Sequence, residues 1–276
     1  MNIKDIRQEI ALLNDVVPLE GQRLSDCLQT YEAASNQREL ILEWFTDQVI
    51  PQIPVDSASF LSIGCGAGEL DVKILAAGKA HASTIAYVGL EPDSQQCERF
   101  MVSMELAGDK NTRVETLNTD FERCVEQRRF DRVLMVHSLY YMDDPERAID
   151  KALNLVNESG RLIVLLASND TLNELASSFW KMVNGGSSWF SEDLSKHLEE
   201  RGVSFERNRI EARLDITSCC EPESEKGSQI ADFIAQVPLG KLPPSLRAMI
   251  FSYLEATSQL DGDLRWLPHN VDAFVI

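Results

Sequence analysis

The 276-residue sequence has no apolar run longer than Leu162 to Ala167. That is far short of the roughly 18 residues a membrane span needs, so a membrane-embedded protein is excluded from the expected classes. Basic residues are scarce: 26 Lys and Arg stand against 44 Asp and Glu, for a net charge of −18. Nucleic-acid binding depends on cations meeting phosphates, so no nucleic-acid partner is expected. The acidic balance serves solubility and is compatible with attracting small cations. None of the six cysteines (Cys27, Cys65, Cys97, Cys124, Cys219, Cys220) stands in a C-x-x-C pair. A zinc ribbon and a thioredoxin-type site are therefore not indicated, and reduced thiols are expected. His81, His197 and His269 have no partners at metal-ligand spacing, so no metal is expected. Repeats and low-complexity stretches are missing. The first ten residues, MNIKDIRQEI, are charged and mixed, unlike a signal or transit peptide, so the expected location is cytoplasmic.

What the sequence does have is alternation between short apolar runs and amphipathic helical stretches from Ala58 to about Ala167. The runs ASFLSIG, TIAYVGLEP, TRVETLN, RFDRVLMVHS and GRLIVLLAS read as strands. ELDVKILAAG, SQQCERFMVSMELAG and DPERAIDKALNLV read as helices, with Leu70, Ile74 and Leu75 sharing a face of the first. Gly108 is placed to end the second, and Asp144 with Pro145 to open the third. Buried strands separated by helices imply a mostly parallel sheet covered on both faces, an α/β fold. Helices are expected over most of residues 1–50, over Asn169–Val183 until NGGSS breaks it, and over SEDLSKHLEERG with Ser191 as its cap and Gly202 as its end. VSFERNRIEARLDI fits one long strand or two short ones. CCEPESEKG reads as an acidic turn, SQIADFIAQV and PPSLRAMIFSYLEATSQL as helices, and VDAFVI as a closing strand. The expected organisation is a helical segment over 1–50 that is a candidate lid, a Rossmann-like core over 51–168, and substrate-binding helices with the last strands over 169–276.

FLSIGCGAGELD runs an apolar strand into Gly64, Gly66 and Gly68. Glycine in that position lets something approach the backbone closely, and the following helix presents free N–H groups. Dinucleotide sites use G-x-G-x-x-G around a pyrophosphate, but Glu69 occupies the third glycine's place and would repel it. An acid is tolerable beside S-adenosylmethionine, which carries no phosphate, and G-x-G-x-G followed by an acid is similar to motif I of the class I methyltransferases. Glu91, at the end of the next strand, is suited to accept both ribose hydroxyl protons. It could equally be a strand-end acid that caps the next helix, a task Asp93 or Ser94 would serve as well. Asp120 and FDRVLMVHSLYYMDDP complete the pattern.

LSIGCGAGELDVKIL, LEPDSQQ and LYYMDD resemble the histamine N-methyltransferase family. The likeness extends to LDITSCCEPESEKGSQIADFI, PPSLRAMI and HNVDAFVI, and so covers most of the chain from about Ser35. It implies a monomer with a seven-stranded, mostly parallel Rossmann-like sheet, one strand antiparallel, and a smaller substrate-binding region. It implies S-adenosylmethionine as methyl donor, S-adenosylhomocysteine as product and a small-molecule amine as partner. Carried over by position, Gly64, Cys65, Gly66, Gly68, Glu91, Pro92, Gln96, Asp120, Phe121 and Val136 would line the cofactor. Asn270 falls on the family's substrate asparagine, and Tyr140, Tyr141, Trp180 and Phe233 on its aromatic positions, with Trp189 or Phe190 a looser match. Two departures stand out. His137 replaces the family's pocket glutamine, and Glu39 meets the family's N-terminal glutamate only after a shift of one residue. These departures open the acceptor class to related biogenic amines.

Methyl transfer is an in-line displacement, so the protein mainly aligns nucleophile, methyl and sulfur and excludes water. His137 could take the amine's proton or only orient the amine. It could also be a packed strand-end residue, just as the tyrosines and tryptophan could be ordinary core. O- or carboxyl-methylation of another metabolite, a dinucleotide-dependent oxidoreductase and a non-catalytic binding protein are the competing readings.

Overall fold

The computed structural model describes every residue except Met1, Gly186, Ser187 and Pro222. The chain divides into two compact units. The sheet unit comprises Glu39–Leu166, Trp189–Ile210 and Asp272–Ile276; the accessory unit comprises Met1–Arg38, Ala167–Ser188 and Glu211–Val271.

Along the chain the helices are α1 (Ile3–Ile10), α2 (Gly21–Ala33), α3 (Gln37–Trp44), α4 (Glu69–Lys79), α5 (Ser94–Ala107), α6 (Pro145–Asn154), α7 (Thr171–Asn184), α8 (Ser191–Glu200), α9 (Glu225–Ala235) and α10 (Pro244–Thr257). The strands are β1 (Ala58–Ile63), β2 (Ile85–Leu90), β3 (Thr112–Leu117), β4 (Phe130–Val136), β5 (Val156–Ala167), β6 (Glu206–Ile210), β7 (Arg213–Asp215), β8 (Gln259–Asp261), β9 (Leu264–Pro268) and β10 (Val271–Val275).

A seven-stranded sheet in the order β3-β2-β1-β4-β5-β10-β6 organises the sheet unit. β1, β2, β3, β4 and β5 pair in parallel. Leu162 and Ile276 exchange both backbone bonds, at 3.0 and 2.9 Å, the reciprocal pattern of an antiparallel pair, so the chain's last strand runs against β5. On one face of β4 and β5, Val133, Met135, Leu162 and Val164 are fully buried with Ile149 of α6 and Leu194 and Leu198 of α8, and the alternate residues Leu134, Ile163 and Leu165 are buried as well, as in a sheet covered on both faces. This is the Rossmann-like α/β fold that the pattern of strands and helices predicts.

Several local readings are corrected. Ser191 does not cap α8. Phe190 holds the capping position, and its N–H donates to the Asp193 carboxylate at 2.9 Å. The Ser191 hydroxyl instead donates to Asp272 at 2.6 Å, a bond between segments far apart in sequence. VSFERNRIEARLDI forms two short strands that serve different sheets, β6 in the large sheet and β7 in the accessory unit. The accessory unit also carries a small sheet of its own. β7, β9 and β8 make a three-stranded antiparallel sheet that joins the helices of the accessory unit. The break expected at NGGSS includes Gly186 and Ser187, which lie outside the described residues, as does Pro222 of the acidic turn.

Asp272 anchors the end of the large sheet. Its carboxylate is buried and receives Arg207 at 2.6 Å, Arg209 at 3.1 Å and Ser191 at 2.6 Å. Burial alone would raise this carboxyl, but Arg207, Ser191 and Arg209 together hold it below the usual carboxylate range. Its folded pKa is therefore depressed, so its stabilisation is present above the unfolded value of about 4 and is lost as pH falls through the folded one. Asp272→Asn should cost about 2 kcal/mol at neutral pH, since two half-exposed arginines lose a buried partner. The gap between the variant and the native chain, read from urea unfolding, should close only below about pH 4.

Candidate functional site

The glycine turn between β1 and α4 is built from left-handed backbone: φ is +71° at Gly64, +55° at Gly66 and +78° at Gly68. The glycines serve different needs. A Cβ on Gly68 would stand 2.6 Å from Cδ2 of Phe100, and one on Gly89 2.6 Å from the tip of the same ring. Phe100 thus lies flush under the turn, with Tyr87 and Phe60 stacked beyond it at 5.1 Å. A Cβ on Gly66 would meet nothing within 4 Å. Gly66 is therefore bare toward open space, while Gly64 and Gly68 are bare toward the protein's own packing.

Glu91 ends β2 beside this turn. Its Oε2 accepts the Gly66 N–H at 3.1 Å and its Oε1 the Asp93 N–H at 3.1 Å. The capping alternative is decided by Asp93, whose carboxylate accepts the N–H groups of Gln95 and Gln96 at 2.8 and 3.0 Å and so caps α5 itself. Asn118 fixes the same corner: its amide donates to the carbonyls of Glu91 and Pro92 at 3.1 and 2.9 Å. Asn118 carries no motif signal, although it directly follows β3. Asp71 carries none either. Its carboxyl is buried beneath the turn, accepts the Tyr87 hydroxyl at 2.8 Å and a bond from Ser62, and is raised by burial in spite of them.

The remaining cofactor candidates fall around this corner in different states. Cys65 is buried in the turn, and burial pushes its thiol up. Gln96 is half-buried on α5 and Pro92 is exposed. Asp120 is half-buried and pairs with Arg123 at 3.4 Å. The Phe121 ring is core, with the Lys151 ammonium 4.7 Å from its centre. Lys151 also donates to the carbonyls of Phe121, Cys124 at 2.7 Å and Glu122 at 3.2 Å, which ties down the loop after Asp120.

Val136 is half-buried at the end of β4, and His137 follows in left-handed backbone at φ +52°. That conformation costs a non-glycine residue roughly 1–2 kcal/mol. The His137 N–H donates to Leu165 at 3.1 Å, and its Nδ1 lies 3.2 Å from the Tyr140 hydroxyl with the rings stacked at 6.0 Å. Tyr141 is exposed and meets Tyr140 edge-on. Sheet-unit residues His137, Tyr140 and Tyr141 therefore form one group. Phe190 is buried at the start of α8, and Glu39 is exposed on α3.

A family model described as methyltransferase domain matches residues 32–206. The chain belongs to the methyltransferase-domain family. Among curated proteins it is 26% identical over 215 residues to histamine N-methyltransferase of Cavia porcellus, covering 71% of this chain and 72% of that one. It is 24% identical over 265 residues to the Bos taurus enzyme of the same name, covering 86% and 88%. It is 21% identical over 282 residues to carnosine N-methyltransferase 2 of Gallus gallus, covering 92% and 86%. Among solved structures, plantazolicin methyltransferase BpumL in complex with S-adenosylhomocysteine matches with a TM-score of 0.51 at 13% identity, covering 99% of this chain and 96% of that one. At that identity the likeness is one of fold.

The accessory unit of this methyltransferase brings a second group together. His269 is buried, with Nε2 2.7 Å from the Tyr31 hydroxyl and Nδ1 2.7 Å from the Ser35 hydroxyl. The Gln37 amide donates to the His269 carbonyl at 2.7 Å. Phe233 lies 4.5 Å from the Tyr31 ring, and Asn270, half-buried, directly follows His269. Trp180 is half-buried on α7. Only Phe233, Asn270 and Trp180 of these were singled out from sequence; Tyr31, Ser35, Gln37 and His269 carry no local motif.

The two kinds of glycine separate on substitution. Gly68→Ala combines backbone strain with a collision against a fully buried ring and should cost about 3 kcal/mol or more. Gly66→Ala carries only the strain, about 1 kcal/mol. Thermal unfolding of the two variants should show that order; equal losses would mean that the space beyond Gly66 is not open.

Proposed function

We propose that the chain transfers a methyl group from S-adenosylmethionine to a nitrogen of a small amine or imidazole compound. The observation that carries the reading is the bond between the Gly66 N–H and the Glu91 carboxylate. It sets an acid with unused lone pairs beside a backbone turn that faces open space, a fit for a ribose diol lying against bare main chain. Gly64, Cys65 and Gly68 shape the turn; Gln96, Asp120 and the chain at Phe121 would hold the adenosine part of the cofactor, and Val136 would stand on its sulfonium side. When bound, the cofactor supplies a methyl carbon activated by a positively charged sulfur. Glu69 stands exposed in the first turn of α4, where it disfavours the pyrophosphate of a dinucleotide.

His137 orients the acceptor. In the tautomer in which Nδ1–H donates to Tyr140, Nε2 holds the lone pair that accepts a proton from an amine. In the sheet unit, Tyr140 and Tyr141 with Phe190 supply aromatic surface for a cationic or imidazole acceptor and Glu39 a polar contact; Trp180, Phe233 and Asn270 of the accessory unit are acceptor positions that the family resemblance adds. The N-methyl preference is supported by the names of the relatives, histamine and carnosine N-methyltransferases. O- or carboxyl-methylation of a small metabolite is the second reading.

Calorimetry should give saturable binding of S-adenosylhomocysteine and none of NAD. Glu91→Ala should weaken that binding about 10- to 100-fold, the worth of a charge-assisted pair of hydrogen bonds. A panel containing histamine and carnosine should show turnover by release of S-adenosylhomocysteine. His137→Ala should lower kcat/KM for the best amine about 10- to 100-fold with cofactor affinity unchanged. Turnover confined to phenols or carboxylates would overturn the N-methyl assignment, and full activity in His137→Ala would remove that residue from the site.

A further inference from the structure

A cavity of about 510 Å³ in the accessory unit is lined by residues outside both the cofactor and the acceptor sets. Three cations, Arg23, Lys241 and Arg247, converge on it, against one carboxylate, Asp232. In a chain with a net charge of −18 this is a local reversal of sign. Asp232 is already committed. Its Oδ2 takes Arg23 at 2.7 Å and its Oδ1 takes the Leu239 N–H at 2.9 Å. Lys241 and Arg247 enter no ion pair among the described residues.

The apolar part of the lining comes from Leu239 and Phe251, and the Arg247 guanidinium lies 5.8 Å from the centre of the Phe251 ring. Two uncompensated cations beside an aromatic wall favour one ligand class. A bare cation would be repelled, and a neutral apolar molecule would leave both charges without a partner as it displaced their water. An anionic group on Lys241 and Arg247, with a flat apolar body against Phe251, satisfies both parts of the lining.

We infer that this cavity is a second ligand site, taking a small aromatic carboxylate between Lys241, Arg247 and Phe251. The inference is independent of the methyl-transfer reading, since none of its residues has a role there.

The test is calorimetry or ligand-observed NMR on the full chain with three probes: indole-3-carboxylate, inorganic phosphate and benzylamine. Indole-3-carboxylate should bind saturably, more weakly as NaCl rises from about 0.05 to 0.5 M, because the attraction is screened. Benzylamine should not compete with it. Lys241→Gln and Arg247→Gln should each weaken binding about 3-fold and together about 10-fold, as expected for half-exposed charges. Both side chains are on the surface, so the variants keep the fold, and S-adenosylhomocysteine binding is the control that should not move. Binding of the carboxylate that is unaffected by the double variant, or no saturable binding, overturns the site. Phosphate binding as tight as the carboxylate's overturns the aromatic half of the assignment.

Discussion

A hydrogen bond from the Gly66 N–H to the Glu91 carboxylate ties the end of β1 to the end of β2. Each partner constrains its neighbours. A half-buried carboxylate needs donors, and Gly66 supplies one from left-handed backbone. The turn adopts that backbone because Gly64, Gly66 and Gly68 lack a Cβ, and Phe100 fills the space under Gly68 and Gly89, leaving Gly66 as the open position. Asn118 holds the Glu91 carbonyl from the other side, and Asp93 removes the competing demand for an acid at the start of α5. The parallel register of β1 with β2 and of β2 with β3 brings these pieces to one edge of the sheet.

Much of this corner could be read in the sequence because its determinants are local. Three glycines at spacing two after an apolar strand need no tertiary knowledge, and neither does an acid after the next strand. The buried strands were equally plain, since β4 and β5 are apolar on both faces. What was not legible is non-local. The Ser191 hydroxyl looked like a cap because serine before a helix usually is one; its real partner, Asp272, is in the last strand. Asp71 stands in the first turn of α4, where an acid is ordinarily solvated, yet it is buried and bonded to Tyr87 and Ser62, neither of which adjoins it in sequence. The hairpin of β8 and β9 is a local exception: its Gly262-Asp263 turn is legible, but Leu260 and Leu264 are exposed and the flanking run lacks a clean inward and outward alternation.

The accessory unit shows the same division. Helices α9 and α10 declare themselves by periodicity. The group around His269 does not, because its members come from α2, the segment before α3, the start of α3 and the residue after β9. Each imidazole nitrogen has one hydroxyl partner, and both hydroxyls can donate or accept, so either tautomer can be satisfied. The main chain leading into Asn270 is clamped by Gln37 instead, through the His269 carbonyl. That division of labour fixes the backbone separately from the ring.

His137 poses the sharpest question of selectivity. The resemblance puts a glutamine at this position, and an amide offers a permanent donor and a permanent acceptor. Imidazole offers one of each in its neutral form and two donors when charged. On the proposed role of His137, replacing amide by imidazole at this strand end changes the pattern of donor and acceptor that a bound molecule would meet. The left-handed backbone at His137 adds to the argument: a strained conformation persists only where surrounding bonds enforce it, and here the Leu165 carbonyl and the Tyr140 hydroxyl both engage the residue. Packing alone would be met by a relaxed strand end, so the strain favours a side chain whose direction matters.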